Sequence, residues 1–138
     1  MAAPSMTYNS QGNIANAVSL AASTSNGYTG DANAYTVDAS AKWEVQITVE
    51  YTTGGSVAAT SGLKVGIFTG SDSTPHYETI QDTAIPTVAY QFFTPTASHT
   101  YRKTFFLPTG KYMIRVTNLD ATNSVTFSIT TVTIDSIA

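Results

Sequence analysis

There is no cysteine in this chain of 138 residues. That excludes a disulfide framework and any thiolate metal site, and it suits folding in a reducing cytoplasm. Charge is scarce as well. Asp, Glu, Lys and Arg make up 11% of the residues, against about 25% in an ordinary soluble domain. The six Lys and Arg are scattered, so neither a basic stripe for nucleic acid nor a polybasic patch for membrane lipid is expected. Long apolar runs are also missing. The opening residues, MAAPSMTYNSQGNIANA, lack a basic start and a continuous hydrophobic stretch, so they are not read as a secretory signal. No segment is long enough to cross a bilayer as a helix, and none of useful length has a helical apolar period.

What the chain has instead is hydroxyl. There are 24 Thr and 14 Ser, which makes the expected surface one of hydroxyls and amides. A weakly charged surface resists association poorly, and it suits a protein that lies against other protein. The length predicts one complete domain, large enough to bury roughly two-thirds of its unfolded surface. Residues 1–13 are small and polar, carry Pro4 and Gly12, and have no period. They are expected as an extended arm, ahead of a single domain over 14–138.

The rest reads as strands. KWEVQITVEY, residues 42–51, alternates: Trp43, Val45, Ile47, Val49 and Tyr51 on one side, Lys42, Glu44, Gln46, Thr48 and Glu50 on the other. That period of two predicts a strand with one core face and one wet face. Shorter signals follow at 14–20, from Leu63, from Val88, at 101–107 before Pro108, from Tyr112 and from Val125. With Gly, Pro, Asn and Asp between them, these predict an all-β antiparallel sandwich. Long loops at 21–34 and 70–86 favour jelly-roll or Greek-key connections. In SVTFSITTVTIDSI the apolar phase slips from 125, 127, 129 to 132, 134. Either Thr130-Thr131 forms a bulge, or the strand leaves one sheet or subunit for another.

Chemistry-bearing constellations are thin. His76 has Asp72 and Glu78 nearby in SDSTPHYE, but that spacing matches no established ligand pattern. His99 reads as a loop histidine. Asp31, Asp38 and Asp120 are possible calcium ligands. NLDATN is more economically a turn, in which Asp120 and Asn123 bond the backbone. Glu44 and Glu50 share a face but stand about 20 Å apart at strand rise, too far to act on one glycosidic bond. No GxSxG or phosphate-binding glycine loop occurs. No catalytic residue, metal or cofactor is expected.

The aromatic residues carry more information. Phe92-Phe93 and Phe105-Phe106 are adjacent pairs, so one ring of each pair points away from the core. Phe68 falls opposite Val65 and Ile67. Leftover rings suggest a second buried surface, made either by a covering loop or by a subunit interface. The interface candidates are Phe68, Phe93, Phe106, Tyr8 and Ile134. Trp43 sits in the core phase of its strand, a poor place for a sugar platform. A glycan site would instead draw on Tyr28, Asn33 and Tyr35 in the first long loop.

LPTGKYMIRVTN, residues 107–118, resembles the text that opens a late strand in fibronectin-type and bacterial prepeptidase-type sandwiches. The resemblance implies that Tyr112 anchors a corner through its hydroxyl. As a whole the chain resembles tailed-phage virion accessory proteins of the capsid decoration or cement type, with an N-terminal arm, a Cys-free Thr- and Ser-rich sandwich and aromatic residues left over. That likeness implies a non-enzymatic structural protein that forms oligomers, trimers above all, and binds a major capsid protein or another virion protein. It would be made in the host bacterial cytoplasm and carried in the virion, with no nucleic-acid or membrane partner. The alternative is a carbohydrate- or receptor-binding module of a tail fibre or adhesin.

Overall fold

The computed structural model describes residues 5–26, 35–53, 62–70, 88–92 and 99–137. Every regular element among them is a strand: β1 (Met6–Leu20), β2 (Ser25–Asn26), β3 (Tyr35–Thr53), β4 (Leu63–Gly70), β5 (Val88–Gln91), β6 (Thr100–Asn118) and β7 (Val125–Ile137). Val, Ile, Thr and aromatic residues fill them, as stiff side chains on a pleated surface should. All pairings are antiparallel. The order is β1-β7-β3-β6-β4-β5, with β2 also on β6. Only β4 and β5 are neighbours in both sequence and sheet, so the connections cross over in the Greek-key manner.

Hydrogen bonding makes one sheet, and packing makes it a sandwich. Phe127 is in register with Tyr51, yet its ring meets that of Tyr35 edge-on at 5.6 Å. In a straight strand Tyr35 and Tyr51 would lie roughly 50 Å apart. β3 must therefore double over. Its first part, Tyr35–Ala39, pairs with β6 from Ile114 to Gly110, and its second, Glu44–Thr52, pairs with β6 from Pro108 to Thr100. Residues 40–43 are looped out against Thr109, whose hydroxyl donates to the Ala39 and Ser40 carbonyls, both at 3.1 Å.

β6 turns the same corner at Gly110, where φ is +156° and a Cβ would lie 3.1 Å from the Tyr112 hydroxyl. Glycine lets the Tyr112 ring fold back, and its hydroxyl donates to the Pro108 carbonyl at 2.7 Å. The corner tyrosine implied by LPTGKYMIRVTN is present. One layer is thus β1, β7 and the facing halves of β3 and β6. The other is the remaining halves of β3 and β6 with β2, β4 and β5.

Alternation then fills the space between the layers. Val45, Ile47, Val49 and Tyr51 of β3 join Val65 and Ile67 of β4, Phe105 and Leu107 of β6, and Val125, Phe127 and Ile129 of β7 in one buried cluster. Tyr51 stacks on Tyr101 at 5.4 Å and leans on Phe92 at 5.1 Å. Burial, with Tyr101 beside it, pushes the Tyr51 phenol up to about 12.

Four expectations change. The segments at 101–107 and from Tyr112 are one strand running through Pro108. That part of β6 pairs only with β3 among the described residues, and a proline is tolerated on such an edge. Trp43 is 63% exposed rather than in the core, because residues 40–43 leave the ladder. Thr130-Thr131 is not a bulge. β7 pairs with β3 without a break from Val125 to Ile134, so buried Thr131 and Thr133 hold the core-facing positions. The expected arm is, from Met6 on, part of edge strand β1, paired with β7 of its own chain.

At the far end from the corner, buried Asn118 closes the sandwich. Its amide donates to the carbonyls of Asn123 at 2.8 Å, Ala21 at 3.2 Å and Leu20 at 3.3 Å, and its carbonyl accepts the Asp120 N–H at 3.0 Å. Asn118→Ala is expected to lower stability by about 2–4 kcal/mol, because it strands several buried polar groups. Thr131→Val is expected to do the opposite. The Thr131 hydroxyl has no partner among the described residues, so its loss should raise stability by about 1 kcal/mol. Urea unfolding of both variants checks the contrast.

Candidate protein-protein interface

The outer face of the first layer follows from the register. Residues directly opposite in a ladder point the same way. One row reads Pro108, Glu44, Ile134, Tyr8, and the next Phe106, Gln46, Val132, Ser10. Farther from the corner the rows become polar. Thr104 and Thr48 share a hydrogen bond at 2.9 Å, the Arg102 Nε donates to Glu50 at 2.9 Å, and Thr52 bonds Thr100 at 3.0 Å. The face is graded, with hydroxyls and an ion pair at one end and apolar groups at the corner.

The corner end collects the large exposed hydrophobic side chains of the described residues. Phe106 is 67% exposed and Tyr8 57%, and Met6 and Ile137, in register with each other, are exposed as well. Trp43 stands next to Glu44 at the same level. From β6 to β1 the sheet spans three inter-strand steps, about 14 Å, with Glu44 and Gln46 of β3 between Phe106 and Tyr8.

The expected interface residues divide accordingly. Phe106 and Tyr8 lie on this face, exposed. Ile134 lies on it between them but is buried beneath its neighbours. Phe68 does not belong. It points outward from the second layer, yet it is only 2% exposed, and the Arg115 guanidinium lies 5.1 Å from its ring centroid. Its outward ring is covered within the chain. Phe93 lies outside the described residues. Trp43, Met6 and Ile137 were not expected, and the only sequence signal for Trp43 was its place at the very start of the alternating run.

The other candidate sites fare differently. Tyr35, expected in a loop, opens β3 and is buried against Phe127, so it cannot present a sugar platform. Tyr28, Asn33, Asp31, Asp72, His76 and Glu78 lie outside the described residues. His99 is exposed, with its ring 4.7 Å from that of Tyr101. Asp120 does cap the turn, accepting from the backbone N–H of Thr122 at 2.9 Å and of Asn123 at 2.7 Å. No group of three His, Asp or Glu gathers for a metal among the described residues.

Two carboxylates are held below their ordinary range. Asp38 accepts from the Ser40 hydroxyl at 2.6 Å and the Ser40 N–H at 3.0 Å, with Lys111 at 3.8 Å. Asp135, beside the apolar region, accepts from the Thr133 hydroxyl at 2.6 Å, from Lys42 at 3.1 Å and from Asn9 at 3.4 Å. It ties β7 to β1 and to the looped-out part of β3.

No protein-family model matches the chain, and no curated protein matches it. Solved structures give weak matches. A chain of the Bacillus endospore appendages that form disulfide-linked pili is 12% identical over 98% of this chain and 93% of that one, with a TM-score of 0.44. VP2 of the infectious bursal disease virus subviral particle is 12% identical over 95% of this chain and 32% of that one, with a TM-score of 0.47. A carbohydrate-binding module of Cellvibrio mixtus lichenase 5A, solved with cellotriose, is 10% identical over 89% and 88%, with a TM-score of 0.40. At such values the likeness carries no argument about this chain.

Asp135 supplies a pH test. Its folded pKa lies below the ordinary 3.8, so its stabilising effect is complete above that value and is lost as pH falls through the lower folded one. The urea midpoint of Asp135→Asn should fall below wild type at pH 7, and the two should converge as pH falls through the lowered folded pKa.

Proposed function

We propose that this chain is a non-enzymatic assembly module, a rigid sandwich that works by binding copies of itself and a larger protein lattice. The observation that carries the reading is the exposure of Phe106 and Tyr8 on the outer face at its corner end, with Trp43, next to Glu44 in the chain, and the paired Met6 and Ile137 exposed as well. A covered aromatic side chain buries roughly 150–250 Å². Three such rings with Met6 and Ile137 supply the greater part of the about 800 Å² per partner that a stable interface needs. The low charge of the chain supports the same reading, since little repulsion opposes contact.

The finer proposal is a capsid decoration or cement protein of a tailed-phage virion, acting as an oligomer, preferably a trimer, on the major capsid protein. Its support is the compositional resemblance together with the apolar end. The graded outer face gives it a physical form. The apolar corner joins copies, while the Thr-rich remainder stays wet. Genes for a major capsid protein and a head protease beside this one would be the matching genomic context. The carbohydrate-binding reading loses Tyr35 to the core, and its remaining support among the described residues is the exposed Trp43 ring.

Sedimentation velocity tests the assembly. The wild-type protein should form a discrete oligomer at micromolar concentration, and Phe106→Asp should weaken association at least tenfold while leaving the circular dichroism spectrum unchanged. A wild-type protein that stays monomeric at hundreds of micromolar would contradict the reading.

A further inference from the structure

The outer half of β1 is poorly fastened, and three observations say so independently. Between Met6 and Asn13 every side chain with a described environment is exposed, and the β1 residues buried in the core, Ala15 and Leu20, come later. Within this stretch the ladder to β7 is broken twice, between Thr7 and Tyr8 and between Ser10 and Gly12. Gly12 has φ of +81°, so the strand changes direction there. Finally, a cavity of about 200 Å³, lined by Ile14, Thr36, Val37, Asp38 and Thr131, adjoins the end of this stretch. Thr131, 1% exposed, faces Gly12 across the ladder, and its hydroxyl has no partner among the described residues. The strand is anchored after the cavity and only laid on β7 before it.

We propose that Met6–Asn13 is an exchange arm, hinged at Gly12, that leaves β7 of its own chain and pairs with β7 of a second copy. The second copy is the occupant because the β7 edge is already cut to this sequence. An incoming Met6–Asn13 regains the same register, the same Tyr8–Ile134 neighbour and the same Asn9–Asp135 bond, so exchange conserves contacts and alters only the hinge. Met6 and Tyr8 also belong to the exposed apolar end. Copies joined by that end bring each arm beside its neighbour's β7. The inference thus rests on the assembly reading and adds to it a topological link between subunits.

The absence of native cysteine makes the test clean. Two single variants, Ser10→Cys and Val132→Cys, occupy positions in register on β1 and β7, and neither can close this bridge within one chain. One of them carries a size tag. They are mixed at assembling concentration and oxidised gently. Arm exchange predicts a mixed disulfide several-fold above both homodisulfides. The double variant in one dilute chain shows that the pair closes in the fold. A mixed disulfide no more abundant than the homodisulfides, from protein that sedimentation shows to be oligomeric, overturns arm exchange and leaves the assembly reading standing. The same result from monomeric protein overturns both. Thr7→Cys with Ser136→Cys, also in register, repeats the test if the first pair disturbs folding.

Discussion

Everything in this structure depends on the corner that β3 and β6 turn together. Two long strands remain hydrogen-bonded to each other on both sides of the bend. One sheet thereby becomes two layers, and the core-facing side chains of each half are brought face to face. The parts are inexpensive. They are a looped-out stretch at 40–43, a threonine that bonds two carbonyls, a glycine with room for a ring, and a tyrosine hydroxyl on the Pro108 carbonyl. Single hydrogen bonds of this kind contribute about 1 kcal/mol each. Their effect is geometric, because they fix the angle at which more than twenty buried side chains meet.

The corner also decides where function can sit. A folded sheet hides its inner face and leaves an outer face, edges and tips. Among the described residues, the outer face of the first layer carries no converging acid and base. Its ionic feature is the Glu50–Arg102 pair, whose partners satisfy each other. Looping out residues 40–43 ejects Trp43, and the same level of the sheet presents Phe106 and Tyr8. The bend that builds the core thus also creates the apolar end. Edge strand β1 is its counterpart. It is needed to cover β7, yet it is too irregular to offer a flat edge to stray strands, which is how natural sheets avoid uncontrolled pairing.

Much of the fold was legible because a period of two is a strong signal. The alternation of Val45, Ile47, Val49 and Tyr51 placed the core correctly, and adjacent Phe105-Phe106 gave one inward and one outward ring. Tyr112 was readable from its local text. What failed depended on partners far along the chain. Pro108 reads as a stop, but it sits on an edge where its missing N–H costs nothing. Trp43 reads as core until the ladder is known to skip its neighbours. Thr131 and Thr133 hold core positions that apolar residues would normally mark, so the phase of β7 was misread. Phe68 was seen to point outward, but its cover, including Arg115, was invisible. Asn118 gave no sign that it closes the far end of the sandwich.

The central claim is that this chain works by contact, through the corner end of its outer face. Hydrogen–deuterium exchange tests it directly, by comparing protein diluted to monomer with protein at assembling concentration. The account predicts new protection in the backbone around 43–46, 106–108 and 132–137, with little change around Thr48, Thr52 and Thr100. Protection confined to the threonine-rich end, or exchange that is the same at both concentrations, would contradict it.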